Sequence, residues 1–161
     1  MPDTKLKSMK ATALLREDHK KVRHLFSEYE KLDEHAAPEK KQELFEEMNR
    51  ELTIHAAIEE EIFYPAINER KGEDEEAGEI VNEAVEEHKI AKTLLEEISA
   101  LPPEDEQFHA KVTVLIEAVR HHAQEEEEDM FPYFDDLPKE RQEQVSERLR
   151  LRKAELLGEI G

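Results

Sequence analysis

The chain has no cysteine and only four glycines among 161 residues. Without thiols there is no disulfide framework, no thiolate metal site and no thiol nucleophile. Strand-forming residues nowhere alternate cleanly, which removes the usual signature of a half-buried sheet. Runs of about 18 apolar residues, long enough to span a bilayer, are missing too. The opening MPDTKLKSMK lacks the apolar stretch of a signal peptide, so the cytoplasm is the expected compartment. Basic residues are in deficit, 23 Lys and Arg against 42 Asp and Glu, for a formal net charge of -19. Such a field repels phosphate backbones and anionic lipid surfaces, so neither nucleic acid nor a membrane is an expected partner, while cations are favoured.

What is present is helix-forming: Leu, Glu, Lys, Ala and Arg dominate, and an all-α fold in one domain follows. Apolar residues return every three or four positions in four segments. The inward positions are Leu15, His19, Val22, Phe26 and Tyr29 in the first. In the second they are Leu44, Met48, Leu52, His55, Glu59, Ile62 and Ala66. The third has Ile80, Ala84, His88, Ala91, Leu95 and Ile98. The fourth has Phe108, Val112, Leu115, Val119, His122 and Glu126, with Asp129 and Met130 following.

Punctuation separates them. Ala37-Pro38-Glu39 puts proline and an acid at a helix start, Lys71-Gly72 reads as a helix end, and Pro102-Pro103-Glu104-Asp105 begins the fourth segment. Short connections make sequence neighbours antiparallel, which predicts an up-down-up-down four-helix bundle. The expected organisation is a tail over residues 1–10, a bundle over 11–137 and an amphipathic helix over 138–161. That last segment has a sparse stripe of Val145, Leu149 and Leu156, to be packed on the outside of the bundle or on a second subunit.

The two halves repeat. Glu17-Asp18-His19-Lys20 resembles Glu86-Glu87-His88-Lys89, 69 positions later, and HAAIEEEIFYP from His55 resembles HAQEEEEDMFP from His122, 67 positions later. A duplicated helix pair predicts a pseudo-two-fold bundle.

Each apolar stripe carries a histidine near mid-helix, and two carry a glutamate four residues further on, on the same helix face. Ionisable groups on a core stripe cost several kcal/mol each by desolvation unless they are paired or bind metal. Six such groups at matched positions of two repeats point to a cation. Imidazole with carboxylate suits iron, manganese, zinc or cobalt rather than calcium or magnesium. Six ligands overfill one ion, whereas two ions, each with two His and sharing two bridging Glu, keep open positions. The expected metal ligands are His19, His55, Glu59, His88, His122 and Glu126, with Glu60 and Glu127 as outer acids that orient them.

His121 paired with Glu125 competes with His122. The distance to the following proline favours His122, since His122 to Pro132 equals His55 to Pro65 and only His122 falls on the stripe. His24 lies on another face, His35 in a linker and His109 at a helix start, the last two solvated. Tyr29, Tyr64 and Tyr133 read as core packing, although a tyrosine close to the metal could hydrogen-bond a bound oxygen species. The Glu-x-x-His pairs of ferritin-like oxidases are represented only by Glu106 and His109, at a helix start.

On His19, the His55-x3-Glu59 motif ending in Phe63-Tyr64-Pro65, His88, and the His122-x3-Glu126 motif ending in Met130-Phe131-Pro132, the sequence resembles the hemerythrin-like family, or HHE cation-binding domain, over about residues 10 to 135. The resemblance implies an oxo- or hydroxo-bridged pair of iron ions, with manganese or zinc as alternatives. It also implies a small diatomic or peroxide ligand and roles in binding, sensing or processing oxygen, peroxide or nitric oxide. Two departures matter. Carriers of oxygen in that family have a His-x3-His pair on the third helix, where His88 is followed by Lys92, and an Asp where this chain has Glu127. The pattern is that of a symmetric four-His, two-Glu branch, and reversible oxygen carriage is not expected of it. Peroxide turnover and a metal-organised structural module, with a homodimer or protein partner at the C-terminal helix, are the other readings.

Overall fold

A computed structural model describes residues 9–33, 35–70 and 72–160, all of its regular structure helical. Most of the expected 1–10 tail and Lys71 of the expected Lys71-Gly72 stop lie outside the described residues. The rods are α1 (Ala11–Glu30); α2 (Pro38–Ile58), a π turn π1 (Glu59–Phe63) and α3 (Tyr64–Asn68); α4 (Glu75–Ser99); α5 (Glu106–Glu125), a second π turn π2 (Glu126–Met130) and α6 (Phe131–Asp135); and α7 (Lys139–Ile160).

Adjacent rods run antiparallel. Asp18 and Lys21 of α1 meet His55 and Glu51 of α2, so rising numbers on one face falling numbers on the other. Glu87 and Glu97 of α4 likewise meet His122 and Lys111 of α5. Glu30 and Arg120 close the ring between α1 and α5.

Local chemistry sets the ends. Pro38 occupies the first turn of α2, where its missing N–H costs nothing. Asp74 and Asp105 cap α4 and α5 by accepting from the N–H groups of Glu76 and Gln107. The fourth rod therefore starts at Glu106 rather than at the Pro102-Pro103 pair. Those prolines lie in the preceding turn, closed by Asp105 N–H to Pro102 O at 3.0 Å.

The π turns have a shared cause. Pro65 and Pro132 cannot donate to the carbonyls four residues back, and their rings crowd those carbonyls. The ladder shifts by one residue, so Tyr64 N–H bonds Glu59 O and Phe131 N–H bonds Glu126 O. π turns of this kind cluster at functional sites.

The core divides into two apolar layers. One, around Phe63, Phe131 and Phe134, includes Val145, Leu149 and Leu156 of α7. The other, around Phe26, Phe45 and Phe108, fills the opposite end. Of the two placements open for the C-terminal segment, α7 takes the outside of its own bundle, along α1, α2 and π1. Its Ser146 Oγ accepts from Ala11 N–H at 2.8 Å, satisfying a donor at the start of α1 that no local side chain caps.

Candidate metal centre

Between the two apolar layers lies a charged one. His19 on α1, His55 on α2, Glu59 at the first residue of π1, His88 on α4, His122 on α5 and Glu126 at the first residue of π2 all turn inward. Glu59 is 0% and Glu126 2% exposed. Their candidate ligand atoms form two groups, His19-His55-Glu59-Glu126 and Glu59-His88-His122-Glu126, each with its atoms within 4.8 Å of one another. The glutamates belong to both. His121, by contrast, faces solvent and pairs with Glu125 at 2.8 Å.

Every one of the four imidazoles is held from behind. His19 Nδ1 donates to Glu127 at 2.7 Å and His55 Nδ1 to Asp18 at 2.8 Å. His88 Nδ1 donates to Glu60 at 3.2 Å and His122 Nδ1 to Glu87 at 2.7 Å. Each bond runs to an acid beside a candidate ligand on another rod, and the pattern obeys the sequence repeat: Asp18 corresponds to Glu87 and Glu60 to Glu127. A carboxylate on Nδ1 fixes the tautomer and aims Nε2 at the centre, the arrangement typical of metal-bound histidine.

Glu60 and Glu127 were legible as outer acids, but Asp18 and Glu87 were missed. Their signal was present, an acid immediately before the histidine in both repeats.

The two poles of the centre differ. At the first, His19 Nε2, His55 Nε2, Glu59 Oε2 and Glu126 Oε1 are buried and make no well-aligned hydrogen bond, although His19 Nε2 lies 3.2 Å from Glu126 Oε1. Unsatisfied buried polar atoms are rare in folded proteins. Four together, two imidazole nitrogens and two carboxylate oxygens, fit a cation.

At the second pole the Tyr64 hydroxyl intervenes. It donates to Glu126 Oε2 at 2.6 Å and lies 3.2 Å from Glu59 Oε1, 3.0 Å from His88 Nε2 and 3.3 Å from His122 Nε2. Its counterpart in the repeat is Phe131, stacked on His19 with no hydroxyl to offer. Tyr64 therefore belongs to the site, not merely to core packing. Regular α-helical phase takes position 64 off the face of Glu59, and the π turn returns it. The prolines six residues after each glutamate were the available clue.

The electrostatics are those of a charged cluster. Burial opposes charge on His55, but Glu59, Asp18 and Glu126 outweigh it and hold the imidazole well above its usual range. His122 is treated the same way by burial against Glu126 and Glu87, and is pushed up to about 10. Burial raises Glu126, yet its contacts with Glu59, His122, His19 and His55 hold it well below the ordinary carboxylate value. Burial and the two glutamates push the Tyr64 phenol well up.

Below the centre a cavity of about 330 Å³ opens, bounded by all four histidines and by Val22, Phe26, Leu52, Leu95 and Val119. Arg23 and Lys92, each four residues after a candidate ligand histidine, also line it.

The sequence profile of the hemerythrin HHE cation-binding domain matches residues 10–134. The chain belongs to that family. Among solved structures, this HHE protein resembles a hemerythrin HHE cation-binding domain-containing protein of Mycobacterium kansasii. The TM-score is 0.77 at 23% identity, covering 94% of this chain and 89% of that one, a likeness of fold. Among curated proteins it resembles a protein named DNA nickase from Nostoc sp. (strain PCC 7120 / SAG 25.82 / UTEX 2576), 32% identical over 149 residues. The match takes in 92% of this chain but 40% of that relative, so the chain spans well under half its length. Family membership and the His/Glu cluster together support metal binding by this HHE domain. Among the described residues no helix is long and apolar enough to cross a membrane.

Proposed function

We propose that this HHE domain is a non-haem di-iron protein that binds, senses or processes oxygen, peroxide or nitric oxide. His19 and His55 would hold one ion and His88 and His122 the other, with Glu59 and Glu126 shared between them. The observation that carries the reading is the set of four buried imidazoles, each with Nδ1 held by a carboxylate and Nε2 turned to two buried glutamates. Four neutral imidazoles and two carboxylates suit iron, manganese or zinc, and of these zinc has no redox chemistry to offer an oxygen ligand at open positions, whereas iron does. The cavity supports the ligand class. Its walls near the histidines are largely apolar, which suits uncharged diatomic molecules, and at about 330 Å³ it has room for them.

When bound, the iron pair would supply the site for an oxygen or nitrogen ligand and exchange electrons with it. The protein's part is to fix the imidazoles through the four outer carboxylates, to exclude bulk water, and to offer the Tyr64 hydroxyl as a hydrogen-bond donor at the second pole. The asymmetry between Tyr64 and Phe131 would bias a ligand toward the His88-His122 side.

A net charge of -19 argues against a DNA-contacting role for this chain. We assign the nicking in the Nostoc relative's name to that protein alone.

Anaerobic ferrous titration followed by exposure to oxygen or nitric oxide tests the proposal, read by visible absorption and iron content. Two irons per chain and a spectrum that changes with the gas are expected. Failure to take up ferrous ion, or a centre holding zinc alone and indifferent to both gases, would contradict it.

A further inference from the structure

The pseudo-two-fold symmetry of the bundle is broken on its outside. In the first repeat, the face over Asp18 is made of Leu14, Ile54, Ile58 and Ile62, all buried in the layer that includes Val145, Leu149 and Leu156 of α7. The equivalent positions of the second repeat are Glu83, His121, Glu125 and Asp129, set around Glu87. No apolar residue survives the exchange. One side of the centre is sealed by α7 and the other is acidic, with Glu83, His121 and Asp129 exposed.

The two outer acids carry different loads as a result. Asp18 receives His55 on one oxygen and the Lys153 ammonium of α7 on the other. Glu87 receives His122, and where Lys153 would stand it faces His121 and Glu125, whose ligand atoms lie with its own within 4.8 Å. From this rim a pocket of about 60 Å³ leads inward, walled by Glu83, Glu87, Glu125 and Asp129 and floored by His122 and Glu126. Glu126 at that floor is 2% exposed, and its Oε2, 2.9 Å from His122 Nε2, is the oxygen on this side of the centre.

We propose that Glu87, His121 and Glu125 form an exchangeable site for a divalent transition-metal ion, and that this face is the route by which metal reaches the buried centre. The ion occupies, in the open repeat, the place that a lysine ammonium fills in the covered one. One imidazole and two carboxylates select iron, manganese, cobalt or zinc over alkali ions. Four acids around a narrow opening concentrate cations at it. The inference rests on the metal-binding reading given above, and adds where the ion enters.

The test is the rate of cobalt(II) uptake by the metal-stripped protein at low ionic strength, followed by cobalt absorption and closed by elemental analysis. His121→Ala with Glu125→Gln changes two side chains that are 66% and 42% exposed, so folding is spared. Glu83→Gln with Asp129→Asn is the second variant, and Glu46→Gln, exposed on α2 and outside both cavities, is the control. Both double variants are expected to slow uptake about tenfold, with unchanged cobalt content once the exchangeable ion has been removed by desalting, and Glu46→Gln to leave the rate alone. Unchanged rates in the double variants, equal slowing caused by Glu46→Gln, or slowing accompanied by lower cobalt content after desalting would overturn the route. Failure of the unaltered protein to bind cobalt would overturn the metal reading itself and the route with it.

Discussion

The Tyr64 hydroxyl donates to Glu126 Oε2 at 2.6 Å, reaching from the first repeat to the shared carboxylate of the second. Phe131, at the equivalent position, makes no such bond. A centre built from a duplicated helix pair is thereby made unequal, with orphaned ligand atoms at the His19-His55 pole and a phenol among those of the His88-His122 pole.

Metal is therefore expected to bind in two steps, first at the His19-His55 pole. A hydrogen bond to a charged group contributes about 1.5–3 kcal/mol, so Tyr64→Phe should tighten the second step by on the order of tenfold and leave the first unchanged. Calorimetric titration of the metal-stripped protein checks this. A single step in the unaltered protein, or two steps indifferent to the substitution, would refute it.

The outer carboxylates should matter nearly as much as the candidate ligands. Asp18→Asn, Glu60→Gln, Glu87→Gln and Glu127→Gln are each expected to lower metal affinity by about 10- to 100-fold. Asp18→Asn should be the most harmful because it also strands Lys153. Competition against a chelator of known affinity measures the series.

Protonation gives a further prediction with a definite sign. Without metal, His122 is held up to about 10 and His55 well above its usual range, so both are charged near neutrality. The stabilisation from charged His122 is complete below the unfolded value of about 6.5 and is lost as pH rises through about 10. Glu126, held low, contributes in the opposite sense, above the ordinary carboxylate range and less as acid is added. Metal needs neutral imidazoles, so binding must release protons and tighten from neutral toward alkaline pH. Titrations in buffers of different ionisation enthalpy count the protons, and melting at pH 7 and 10 should separate metal-free from metal-loaded protein.

The C-terminal helix is expected to be part of the bundle's stability. Leu149 is 0% exposed, and Leu149→Ala should cost about 2–5 kcal/mol. Leu151, two residues on, is 59% exposed, and its alanine variant should melt close to the unaltered protein. Denaturant unfolding of the pair decides whether α7 is docked as described.

Much of this was legible in the sequence because bundle periodicity and an internal repeat are both written in the residues themselves. The inward stripes containing His19, His55, His88 and His122 follow from the 3.6-residue period. The spacing to Pro132 separates His122, which turns inward, from His121, which turns out. Tyr64 escaped because a proline-driven π turn changes helical phase, which a constant period does not register. Lys153 escaped for another reason: on a sparse, highly charged helix, nothing local says that one ammonium faces a buried aspartate 135 positions away. The side on which α7 docks was likewise open, since it is decided by Leu14, Ile54, Ile58 and Ile62 standing where the second repeat has Glu83, His121, Glu125 and Asp129.

The claim on which the rest depends is a centre for two ions. Elemental analysis of freshly purified protein, repeated after anaerobic ferrous reconstitution, tests it most directly. Two irons per chain, lost together in Glu59→Ala and in Glu126→Ala while the helical content stays, is the predicted result. One ion or none per chain after reconstitution, or two irons retained in both variants, would contradict it.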